Sequence, residues 1–155
     1  MAALLIVGYL VGIVPLEYNV SYEGIKYRNN DPDYVEKVMI QFDGYRYNKL
    51  YKCDEFNGTL IVDGAEYPGM KLRSGRYNED LVFVFLQDIG EYDTLGMIFT
   101  DDNLNEFSIQ WFEGTHSEGR RWSSKDGLVY SMPATTRDEA VEITDRLQHW
   151  NGKVN

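Results

Sequence analysis

Residues 38–64 read VMIQFDGYRYNKLYKCDEFNGTLIVDG, and the fold turns on how this stretch divides. Val38, Ile40 and Phe42 alternate with Met39 and Gln41, the period of a strand with one buried face. Asp43-Gly44 follows, and Asp-Gly between apolar runs is a strong hairpin signal because both residues tolerate positive φ. Residues 45–52 are then the return strand. Asn57-Gly58 precedes Leu60, Ile61 and Val62, and Asp63-Gly64 marks a second hairpin turn.

Further along, the same punctuation recurs. Residues 65–72 form the next strand, distorted by Pro68-Gly69, which neither extends a ladder nor fills one. The apolar run 81–86, LVFVFL, has strand length and β-branched and aromatic content, so it is expected to be the most buried strand. Residues 95–99 follow Gly90. Phe107, Ile109 and Trp111 alternate with Ser108 and Gln110 as a half-buried strand, and residues 128–132 are the last strand before Pro133. Thr136-Arg137-Asp138-Glu139 has the form of a capping box, and Ala140, Ile143, Leu147 and Trp150 then share one helical face. The expected fold is mainly β: an antiparallel meander of about seven or eight strands, a curled sheet or small barrel, with one C-terminal α-helix over 137–150 covering an open end or face.

Upstream, residues 1–16 read MAALLIVGYLVGIVPL and carry no charge. This is expected to be a hydrophobic anchor or signal segment, with Tyr18 and Tyr22 as interfacial anchors. No Lys or Arg precedes Lys26, so the expectation is an uncleaved anchor or one whose basic leader region lies upstream of Met1. Residues 17–34 are polar and contain Asn29-Asn30-Asp31-Pro32, which predicts a stalk. Residues 35–155 are then a single β-rich domain.

Composition limits the function classes. The chain has 155 residues, 15 Lys+Arg against 25 Asp+Glu, and a formal net charge of -10. That balance argues against nucleic acid, whose phosphates demand clustered cations. The single cysteine, Cys53, excludes an internal disulfide and a multi-cysteine metal site. The Asp101, Asn103, Asn105 spacing opens like a calcium loop, but Glu106 stands where the loop requires Gly and Phe112 where it requires Glu. No metal and no cofactor are expected, and no complete catalytic motif is present.

The runs FDGYRYNKLYKCDEFNGTLIVDGAEYP, GMIFTDDNLNEFSI and MPATTRDEAVEI resemble small membrane-anchored extracytoplasmic proteins of Gram-positive bacteria, a group with no established activity. The resemblance covers most of residues 38–147 and centres on the pattern from Asp54 to Gly64. It implies a hydrophobic N-terminal segment and a location outside the cytoplasm, and no catalytic residue.

Two groups of residues are candidates for binding. The connection 113–127, EGTHSEGRRWSSKDG, is long for a β connection and holds His116, Arg120, Arg121 and Trp122. Paired arginines beside an aromatic residue suit a carboxylate or phosphate, so a small anionic ligand or a protein is the expected partner, alongside the membrane. Both arginines are expected to be exposed and Trp122 partly buried. Tyr45, Tyr47, Lys49 and Tyr51 would share one face of a regular strand and line a polar pocket. The leading expectation is a non-enzymatic, membrane-tethered extracytoplasmic binding domain. The alternatives are a small envelope hydrolase using His116 with Glu113 or Glu118, and a structural or assembly subunit.

Overall fold

The computed structural model describes residues 14–49, 52–74, 82–88, 91–101 and 104–151. They form β1 (Leu16–Arg28), β2 (Asp31–Lys49), β3 (Lys52–Val62), β4 (Ala65–Ser74), β5 (Val82–Asp88), β6 (Glu91–Thr100), β7 (Phe107–Trp111), β8 (Leu128–Met132) and α1 (Arg137–Asn151). The protein is mainly β, with every strand antiparallel to the next and one C-terminal helix, as the alternation and the capping residues predict. β8 pairs back onto β1, so the eight strands close into a barrel. Closure is short: residues 25–28 of β1 pair with 128–131 of β8, while residues 16–24 pair with β2 alone among the described residues.

Two expectations are corrected. Residues 17–34 are no stalk: they are β1 and the start of β2, paired from Leu16↔Arg46 to Arg28↔Asp31. Tyr18, Val20 and Tyr22 pack on the inner core while Glu17, Asn19, Ser21 and Glu23 face solvent, so the polar look of this stretch is strand alternation. The barrel therefore begins at Leu16 and not at residue 35. The hydrophobic segment 1–13 lies outside the described residues, and among the described ones no helix is long and apolar enough to cross a membrane.

Asp43-Gly44 is also no turn. It lies inside β2, where Gly44 pairs with Gly58 of β3. A Cβ on Gly44 would meet the Asn57 carbonyl oxygen at 2.3 Å and the Gly58 Cα at 2.6 Å. The glycine serves close approach of two backbones, a different use of the missing side chain from positive φ. Asp63-Gly64 is the true turn, with φ of 49° and 83°. The distortion at Pro68-Gly69 is present as a register shift in the β3–β4 ladder, with Gly69 at φ 71°.

The interior is filled. Phe42, Phe56 and Phe107 are fully buried, and Phe42 meets Phe107 edge-on at 5.6 Å. A second apolar cluster lies outside the wall, where Ala140, Ile143 and Leu147 of α1 cover Ile25, Tyr27, Phe99 and Val129. The helix thus covers a face and not an end. For that reason all five residues of β7 are buried, where alternation alone predicts half. Thr136 caps α1, its Oγ1 accepting the Glu139 N–H at 3.3 Å. The Glu139 carboxylate reaches back to the Thr135 N–H and hydroxyl, at 2.8 and 2.7 Å, one residue earlier than a standard capping box.

Candidate functional site

The meander puts the β1–β2, β3–β4 and β7–β8 connections at one end of the barrel. Residues 112–127 therefore form the longest part of that rim. The rim is tied down at many points. Glu113 and Arg121 exchange backbone hydrogen bonds of 2.9 and 3.0 Å. Arg28 grips the Glu113 carboxylate with two bonds, at 2.6 and 3.0 Å, and donates to the Asp126 carbonyl at 2.8 Å. Trp122 is half-buried as expected: it donates its indole N–H to the Leu128 carbonyl at 3.1 Å and packs against the helix-side cluster.

The two arginines part company. Arg121 is exposed, as expected. Arg120 is not: its Nε donates to Asp93 Oδ2 at 2.7 Å and its NH1 to the Gly114 carbonyl at 3.0 Å. Its side chain is 23% exposed and that of Asp93 19%, so the pair fixes the loop to β6. His116 Nδ1 lies 3.6 Å from Asp93 Oδ1. The structure thus brings His116 and Arg120 together on a carboxylate that sequence reasoning did not single out. Of the two carboxylates proposed for a hydrolase, Glu113 is bound by Arg28 and Glu118 accepts the Thr115 hydroxyl at 2.9 Å.

Only part of the tyrosine stripe lies among the described residues. A register shift stands between Tyr47↔Glu55 and Lys49↔Lys52, with the extra residue in β3, so the alternation of β2 runs on through Lys49. Tyr45 is exposed and Tyr47 half-buried. Tyr51 and the side chain of Lys49 lie outside the described residues, as do the side chains of Cys53 and His149. Tyr45 pairs with Glu17 near the start of β1, at the end of the barrel opposite residues 112–127, so the two candidate groups do not meet.

Inside the rim, Lys26 pairs with Glu36 and lies 5.8 Å from the centre of the Tyr34 ring, and Arg28 lies over the same ring at 5.4 Å. Burial pulls the Lys26 ammonium down, but Glu36 and Tyr34 outweigh it and its pKa is raised overall. The Lys26 hydrogen bond holds Glu36 below the ordinary carboxylate range. Desolvation pushes the Tyr130 hydroxyl well above its ordinary value, and the negative charge of neighbouring groups adds to it.

An open concave site among the described residues lies elsewhere. A groove of about 710 Å³ runs beside the start of α1, lined by residues 21–24 of β1, 37–39 of β2, Pro133, Ala134, Thr135 and Glu139. Met39 forms part of its wall and is 42% exposed. The Thr135 N–H, the Thr135 hydroxyl and the Thr136 N–H hold Glu139 ionised below the ordinary range, so this wall carries a fixed negative charge near neutral pH. Sequence reading missed the groove. Its one local signal was Met39, an apolar residue on the outward side of a strand whose inward residues are Val38, Ile40 and Phe42.

Among the described residues, no three His, Cys, Asp or Glu side chains gather closely enough to hold a metal ion. No family model, no curated protein and no solved structure matches the chain.

Proposed function

We propose that the protein is a non-enzymatic binding domain, tethered to a membrane by its apolar N-terminal segment and presented on the extracytoplasmic side. The observation that carries the binding reading is the groove beside α1, which combines an exposed apolar side chain, Met39, with charged walls from Glu23, Lys37 and Glu139. Apolar contact area with a few oriented polar groups is the usual make-up of a recognition site. The barrel behind it supports the reading, because its paired strands and two packed apolar clusters hold the groove's residues on a pre-organised framework. The uncharged run of residues 1–16 supports the tether.

Methyl NMR of the full chain tests the binding part. Peptide, glycan and lipid-headgroup panels are scored on the methyl signals of Met39 and Ala134. A binding domain of this kind shifts both signals with one class of compound, and panels that move neither contradict the reading. Fractionation tests the tether: the chain is expected in the membrane fraction, with the barrel open to externally added protease. Recovery wholly in the cytosol overturns that half.

A further inference from the structure

β8 ends at Met132, and the chain leaves the sheet through Pro133 toward α1. Residues 16–24 of β1 therefore pair with β2 on one side and, among the described residues, with no strand on the other. In an antiparallel pair every second residue turns its N–H and C=O away from its partner, so this half of β1 offers a row of donors and acceptors. The inward-facing Tyr18, Val20 and Tyr22 of this half are only half-buried, although they pack on the inner core. A strand lying along this edge would cover the three half-buried side chains and complete the wall.

The outward face specifies what kind of strand fits. Glu17 and Glu23 are exposed and make no ion pair among the described residues, and Glu139 adds a third carboxylate across the groove. A second copy of β1 laid antiparallel about Val20 would set Glu17 opposite Glu23, like charge against like, which disfavours self-pairing. Deepening the binding reading above, on which it rests, we infer that the free edge of β1 takes an extended peptide segment as a further strand, with apolar side chains turned inward and basic ones outward. Main-chain hydrogen bonds supply the attachment, and the alternate side chains supply the choice of partner.

The probe is an end-capped peptide of roughly eight residues that alternates lysine and valine, about the length of the free edge. Its control alternates glutamate and valine. Both are titrated into the full chain, with binding read by fluorescence anisotropy and the edge read by residue-resolved amide hydrogen exchange. The lysine peptide is expected to bind, to slow exchange within residues 17–23, and to weaken as salt is added. The double variant Glu17→Lys, Glu23→Lys changes two exposed positions and keeps the far-UV circular dichroism. It is expected to bind the lysine peptide about tenfold more weakly and to prefer the glutamate peptide. Equal affinity for both peptides, an unaltered preference in the variant, or protection outside β1 overturns the inference. So does exchange within 17–23 that is already as slow as in β7 without peptide. Dependence of that protection on protein concentration would then identify a second copy on the edge, and independence a segment of the same chain. If a glycan or headgroup still shifts the Met39 and Ala134 methyl signals, the binding domain stands and only the strand-addition inference falls.

Discussion

Thr144 of α1 makes buried polar contacts with the barrel wall, and replacing it with valine tests how the two are joined. Its Oγ1 lies 3.0 Å from the Tyr27 hydroxyl, 2.8 Å from Ser108 Oγ and 2.6 Å from Ser131 Oγ, and it donates to the Ala140 carbonyl at 3.0 Å. All four side chains are buried. Thr144→Val keeps the shape and removes the common oxygen. Ser131 and Ser108 still meet at 3.3 Å, but Tyr27 loses its 3.0 Å acceptor. A buried group left unpaired costs about 1–3 kcal/mol, and each net bond lost adds roughly 1 kcal/mol. The expected loss is about 2–3 kcal/mol, read as a lower urea midpoint at unchanged slope. At this chain length that lowers Tm by about 5–10 °C. Removing both partners should cost less than the separate losses added together, so Tyr27→Phe with Thr144→Val is expected to be clearly sub-additive. A Thr144→Val protein within about 0.5 kcal/mol of wild type, or strict additivity in the double variant, would refute the view that these hydroxyls act as a unit.

Three other outcomes follow from the same geometry. Gly44→Ala drives a Cβ against backbone at 2.3 Å and should cost about 2–3 kcal/mol, whereas Gly64→Ala, at φ 83° with open space around it, should cost about 1 kcal/mol; urea unfolding that reverses this order would contradict the close-approach role of Gly44. Arg120→Ala should destabilise by about 1–2 kcal/mol because Asp93 is left largely buried, while Arg121→Ala should stay within about 0.5 kcal/mol; equal effects in thermal unfolding would mean that the Asp93 pair contributes nothing to stability. Glu139 has a depressed folded pKa, so its contribution is present above the ordinary carboxylate value of 4.5 and is lost as pH falls from there through the folded value. Glu139→Gln should therefore flatten the acid limb of the stability–pH curve, and an unchanged limb would rule out that contribution.

Strand order and the helix could be read from the chain because they depend on local period: Phe107, Ile109 and Trp111 alternate, and Ala140, Ile143 and Leu147 recur at helical spacing. Asp43-Gly44 and Asp63-Gly64 show where local reading stops. Both look alike in sequence, but one glycine is needed for its φ and the other for its missing Cβ, and only the facing Gly58 distinguishes them. β1 was misread because tyrosine and serine blur the contrast between faces; Tyr18 and Tyr22 are inner residues, and their hydroxyls bond to each other at 2.9 Å. Trp122 was placed correctly because an indole with a polar N–H at a loop end tends to rest on the sheet. Arg120 was not, because its partner Asp93 is 27 residues away and belongs to another hairpin.

The groove was beyond sequence reading for a further reason: it follows from a mismatch in strand lengths. β1 has 13 residues and β8 has 5, so the closing ladder ends long before β1 does. The chain leaves β8 at Pro133 to carry α1 onto the outer wall, where the helix covers the apolar Ile25, Tyr27 and Val129. A longer β8 would cover the edge of β1, but it would also delay that exit and move the start of α1 away from the residues it now covers. The helix–barrel core and the free strand edge are thus two results of one feature, the early end of β8. Thr144 anchors one of them and Glu23 faces the other, so Thr144→Val should loosen helix docking and disturb the groove wall at Thr135 and Glu139 as well. Faster amide exchange at Thr135 in that variant would confirm the link, and unchanged exchange there, alongside a real loss of stability, would separate the two.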